Sequence, residues 1–108
     1  ELSSTKKLTT LADAVIGSST DGDVVAFNRM TGEKLWENHD LKYRGLTNPV
    51  TIGTYIAVGD ADGVVHILNH QGQIISRVNT KGALTNLTVI NNRLYAQSAD
   101  GVVTVWQF

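Results

Sequence analysis

Short apolar runs separated by glycine-bearing turns make up nearly the whole chain, and no stretch keeps a helical period. The runs fall at about 14–20, 24–29, 33–38, 47–52, 55–60, 64–69, 73–79, 84–90, 93–99 and 102–107. Each has strand length and is bounded by Gly, Asn or Asp. Leu8 to Val15 comes nearest to a helical pattern and reads as two short strands joined at Ala12-Asp13. Tyr55 to Asp60 alternates weakly, whereas Val102 to Trp106 is apolar almost throughout, the pattern of a strand covered on both faces. Pro49 stands near the start of its strand, where the missing N–H costs little.

The pattern repeats. Ala14 to Val25, Ile56 to Val65 and Leu94 to Val103 each hold a small or apolar strand, an Asp-Gly turn and a strand start at or beside Val-Val. The Asp-Gly steps begin at 21, 62 and 100, spacings of 41 and 38 residues. Asp21-Gly22, Asp62-Gly63 and Asp100-Gly101 read as hairpin turns, because Gly supplies a positive φ without steric cost. Four strands recurring about every 40 residues are the signature of β-propeller blades. The fold expected is therefore all-β, a partial β-propeller of about two and a half to three four-stranded antiparallel blades. Blades fall at approximately 8–38, 47–79 and 84–108, the last lacking its outer strand. In closed propellers the N-terminus commonly supplies such a strand, so the chain reads as the C-terminal part of a longer ring.

Composition narrows the classes. An apolar share of 42% suits a folded domain rather than a disordered one. A net charge of −1 gives no electrostatic footprint for nucleic acid or an anionic membrane. With no cysteine there is no disulfide, thiolate metal site or cysteine nucleophile. No apolar run is long enough for a spanning helix, and any export signal is expected upstream of Glu1.

One stretch narrows the family. Ala26-Phe27-Asn28-Arg29-Met30-Thr31-Gly32-Glu33-Lys34-Leu35-Trp36 resembles the tryptophan-docking repeat of quinoprotein-like propellers. Ala26, Asn28, Thr31, Gly32 and Trp36 are its blade-docking residues: Thr31-Gly32 turns the chain, and Trp36 brings a large apolar surface to the blade contact. The next blade has Asn69-His70-Gln71-Gly72, one residue shorter and with no Trp following, so Ile74, Ile75 or Val78 is expected to pack its junction. The order Asp40-Leu41, Arg44, Leu46 to Val50, Val58 to Gly63 and Gln97 to Val103 resembles the last two blades of the BamB family, outer-membrane assembly lipoproteins of Gram-negative bacteria. That resemblance implies an eight-bladed ring at the periplasmic face of the outer membrane, tethered by a lipidated N-terminal cysteine. It implies a non-catalytic scaffold without cofactor, binding the barrel-inserting subunit of the assembly machinery. The family holds that partner through loops of earlier blades, upstream of Glu1, so no partner-contact residue is carried over.

Several residue groups invite sharper chemistry. Asp60-Ala61-Asp62-Gly63 and Asp21-Gly22-Asp23 invite a calcium loop, but the twelfth position counted from Asp60 is Gln71 rather than a bidentate carboxylate, and a hairpin explains them better. His66 and His70 are four apart, yet the chain turns near Asn69 and His39 is remote in sequence; surface imidazoles are the plainer reading. Ser18-Ser19-Thr20 lacks a nucleophile elbow and reads as turn-flanking hydroxyls. Asn86-Leu87-Thr88 matches a glycosylation acceptor by chance. Lys42-Tyr43-Arg44, in the connection between blades, is a candidate partner contact. Two other classes stay open on sequence grounds. A quinone-dependent dehydrogenase uses the same docking repeat, and Asp100 to Trp106 resembles the end of a WD40-type repeat, although no Gly-His dipeptide opens any repeat. Open blade faces and a free strand edge also lead us to expect self-association of the isolated chain.

Overall fold

Every Asp-Gly step folds the chain back on itself, and strands follow on either side. The structure, a computed structural model, describes residues 8–19, 21–42 and 44–107. Among these residues are eleven strands and no helix: β1 (Thr9–Leu11), β2 (Ala14–Ser18), β3 (Val24–Asn28), β4 (Lys34–Asn38), β5 (Val50–Ile52), β6 (Tyr55–Gly59), β7 (Val64–Leu68), β8 (Ile74–Asn79), β9 (Leu84–Ile90), β10 (Arg93–Ser98) and β11 (Val103–Gln107). They form three antiparallel sheets ordered β1-β2-β3-β4, β5-β6-β7-β8 and β9-β10-β11, an open run of propeller-like blades. The all-β, partial-propeller expectation holds.

The turns follow the residues that make them. Asp60 N donates to Val64 O at 3.0 Å and Gly63 N donates to Asp60 O at 3.2 Å. Ser19 with Asp23, and Ser98 with Val102, repeat this bond at 2.9 Å each. Each loop thus holds three residues and closes on a left-handed glycine, with φ of 98°, 85° and 90° at Gly22, Gly63 and Gly101. The residue opening each turn caps it: Asp60 Oδ1 accepts from the N–H groups of Asp62 and Val64, and the hydroxyls of Ser19 and Ser98 do the same for Asp23 and Val102. Between β9 and β10 the two-residue turn Asn91-Asn92 has positive φ at both positions, 51° and 61°.

Two apolar layers lie between the sheets. Ile56, Val58 and Leu68 of the middle sheet pack with Ile16, Val24, Ala26, Leu41 and Leu46. Ala57, Val65 and Ile67, on the opposite parity, pack with Leu84, Leu87, Leu94 and Ala96. Both faces of the middle sheet are covered, which is why β6 and β7 read as nearly continuous apolar runs.

Three local expectations change. The inner strand of the middle sheet is Val50–Ile52 rather than 47–52. Pro49 cannot donate to the ladder, and Thr47 is bound to Gly59 twice: its N–H donates to Gly59 O, and its Oγ1 accepts from Gly59 N, both at 2.9 Å. Next, β11 has only one covered face here: Thr104 and Trp106 are half-buried, while Val103 and Val105 are 55% and 47% exposed. Finally, Ile75 does not pack a junction. It is the extra residue of a bulge, since Ile67 pairs with Ser76 and Leu68 with Ile74, and it stays exposed. Leu35 is the matching bulge residue in the first sheet, where Ala26 pairs with Trp36 and Phe27 with Lys34.

Candidate functional site

The junction between the first and second sheets is tied by a run of side-chain hydrogen bonds. Asn28 Oδ1 accepts from the N–H groups of Met30 and Thr31 at 2.9 and 3.1 Å, Thr31 Oγ1 accepts from Glu33 N, and Gly32 takes φ 75°. Ala26 is fully buried opposite Trp36. The Trp36 indole lies on the turn of the neighbouring sheet, its Nε1–H donating to His70 O at 3.0 Å. A Cβ on Gly72 would stand 2.4 Å from the ring, so only glycine fits there. Buried Asn38 adds a second tie, its amide donating to Gly72 O at 2.7 Å.

A buried ionic network lies behind this junction. Asp60 and His66 are both inaccessible to solvent, with His66 Nε2 2.7 Å from Asp60 Oδ2. Arg77 Nε donates to His66 Nδ1 at 3.1 Å. Because Nδ1 accepts, Nε2 carries the ring hydrogen and the imidazole is neutral. Arg44 completes the set at 3.3 Å from Asp60 Oδ2. Burial pushes the His66 pKa below its ordinary value, Asp60 opposing and the two arginines assisting. Burial would raise Asp60, but the Val64 N–H, His66 and the Asp62 N–H outweigh it and hold the carboxyl below its usual range. His66 is therefore not a surface imidazole. The Asp60 to Gly63 turn is a capped hairpin whose first carboxylate is committed to protein donors.

The candidate contact Lys42-Tyr43-Arg44 divides. Lys42 is exposed, Arg44 is tied to Asp60, and Tyr43 lies outside the described residues, as does Thr20 of the hydroxyl run. The glycines and aspartates at 21–22, 62–63 and 100–101 occupy the three equivalent turns. In the last of these, the Ser98 hydroxyl bonds Asp100 and lowers its pKa.

Register brings together one cluster that sequence distance concealed. Glu37 and His39 share a face at the end of the outer strand, with Asp23 across from them. His39 Nδ1 lies 2.7 Å from Asp23 Oδ1, and Nε2 lies 3.4 Å from Glu37 Oε1. Asp23 holds the exposed His39 above the ordinary imidazole range, and Lys34, bonded to Glu37, holds that carboxyl below its own. The signal available beforehand was the i, i+2 pair Glu37/His39 facing Asp23 across a hairpin.

Two concavities border these elements. An apolar cleft of about 420 Å³ runs between Leu11, Ala14, Leu35, Trp36, Thr54 and His70. A more polar one of about 360 Å³ lies where β1, β5 and β9 converge, among Thr9, Asn48, Thr51 and Thr88.

Comparison with known proteins gives one consistent result. The family model described as outer membrane protein assembly factor BamB matches residues 20–108. A crystal structure of BamB from Moraxella catarrhalis superposes with a TM-score of 0.97 at 99% identity, covering 100% of this chain and 33% of that one. Outer membrane protein assembly factor BamB of Taylorella asinigenitalis is 32% identical over 93 residues, 82% of this chain and 24% of its own length. The Salmonella typhimurium protein of the same name is 35% identical over 94 residues, 84% of this chain and 22% of its own. The chain thus spans between 22% and 33% of the length of these proteins.

Proposed function

Because this chain belongs to the outer membrane protein assembly factor BamB family, we propose that the protein carrying it is a non-catalytic scaffold subunit of the machinery that assembles outer-membrane β-barrel proteins. The observation that carries the reading is the family match across residues 20–108. The reading places the protein at the periplasmic face of the outer membrane, held by a lipid on a cysteine upstream of Glu1, with the barrel-inserting subunit as its partner.

This chain's own part in that role is mechanical. Ala26, Asn28, Thr31, Gly32 and Trp36 dock one blade on the next, and the hairpin turns at Asp21-Gly22, Asp62-Gly63 and Asp100-Gly101 join neighbouring strands within each blade. In this reading the interblade connection Lys42-Tyr43-Arg44 is a candidate partner contact. Of these, Lys42 is solvent-facing, and Arg44 positions the loop through Asp60.

The test is genetic and quantitative. Deleting the gene in its host should lower the density of β-barrel proteins in the outer membrane and raise permeability to large antibiotics, with restoration by the full-length gene. Unchanged barrel density and permeability in the deletion strain would refute the assembly role.

A further inference from the structure

We propose that Asp23, Glu37 and His39 form a binding site for a first-row transition-metal dication, with Zn2+ as the reference ion, at one end of the first blade. The site is independent of the assembly role. It rests on strand register, which pairs Val24 with Asn38 and Val25 with Glu37. Period-two alternation then puts Asp23, Glu37 and His39 on one side of the hairpin. Their ligand atoms all lie within 4.8 Å of one another.

The donor set separates this cluster from an ordinary acidic patch. Two carboxylates alone suit Ca2+ or Mg2+, which take oxygen ligands and several waters. An imidazole beside them suits Zn2+, Ni2+ or Cu2+. Three protein ligands leave at least one position for water, the arrangement of an open site rather than a closed structural one.

The platform is firm and the site is accessible. Asn38, between the two β4-end ligands, is buried and donates to Gly72 O at 2.7 Å, and its Oδ1 accepts from Asp40 N at 2.8 Å. His39 is therefore flanked by backbone held on both sides, which limits the ordering cost of binding. The side chains of His39, Asp23 and Glu37 are 50%, 25% and 31% exposed. Lys34 Nζ, 3.0 Å from Glu37 Oε1, competes with the metal for that carboxylate. Binding in water-exposed surroundings with such a competitor is moderate rather than tight.

The experiment titrates metal-free, full-length protein with ZnCl2 by calorimetry and with CoCl2 by visible absorption. Expected is a binding event that His39→Ala removes, together with the Co2+ band. Asp23→Asn and Glu37→Gln should weaken it by about tenfold or more. His70→Ala, at another exposed imidazole, should leave it unchanged, and Lys34→Ala should tighten it. Excess Mg2+ or Ca2+ should not displace the metal. A His39→Ala protein that titrates like the wild type overturns the proposal, as does a wild-type protein that binds no Zn2+ or Co2+. Thermal melts of each variant confirm that the fold is retained, since all these side chains are solvent-accessible.

Discussion

His66 sits between Val65 and Ile67 in a strand covered on both faces, and a charged ring there would lose both its water and its acceptor role toward Arg77. Its folded pKa lies below the ordinary value, so the unfolded chain takes up the proton more readily. The contribution of His66 is therefore complete above about pH 6.5, the unperturbed value, and declines as pH falls from there towards the folded pKa. Asp60, held low, contributes above its own ordinary value and loses that contribution as pH falls through its folded pKa. Acid thus destabilises twice in succession. A series of melting temperatures from pH 8 to 5 should fall for the full-length protein and fall less for His66→Gln, whose amide can still donate to Asp60. Identical slopes would show that His66 is not the titrating group.

Arg44 is 39% exposed, so solvent screens part of its pairing with Asp60. Arg44→Ala should cost about 1 kcal/mol in urea unfolding, and Lys42→Ala less than about 0.5 kcal/mol. Little of this network was legible in the sequence. Asp60 and His66 meet only because a three-residue loop ending in Gly63 folds β7 back on β6, whereas the turn residues themselves were plain. The one available signal was a histidine flanked by apolar residues in a doubly covered strand. The same blindness to register hid the meeting of His39 with Asp23.

At the scale of the element, the decisive contact is Trp36 on the β7–β8 turn. Trp36→Phe keeps most of the apolar area and gives up the bond to His70 O, a loss of about 1 kcal/mol. Trp36→Ala should cost about 3 kcal/mol, near the lower end for a large aromatic because the ring is only half-buried. Gly72→Ala forces a left-handed alanine and displaces the ring, so it should destabilise by about 2 kcal/mol or more and shift Trp fluorescence to the red. A silent Gly72→Ala would mean that the junction is packed some other way. Strand identity was readable from the recurring Asp-Gly steps. Strand ends were not, as the residues before Pro49 show, because a side-chain hydroxyl from Thr47 took the place of a ladder bond.

Across the whole molecule, the first and middle sheets hold four strands and the last holds three among the described residues, and the middle sheet is the one that contributes to both apolar layers. Among the described residues β11 pairs only with β10, and Val102, Val103 and Val105 are about half exposed beside it. A free edge next to apolar side chains is a template for another strand. The isolated chain should therefore sediment as oligomers whose size grows with concentration. A sharp monomer at high concentration would count against that. Within a longer ring, the same edge and faces are where neighbouring blades are expected.

The most direct test of the assembly role is binding between the full-length protein and the purified periplasmic region of the barrel-inserting subunit from the same organism, followed by interferometry. The account predicts saturable one-to-one binding that weakens modestly with Lys42→Ala and further when Trp36→Ala loosens the ring. An absence of binding, with the ring shown to be folded by its melting curve, would contradict the scaffold reading outright.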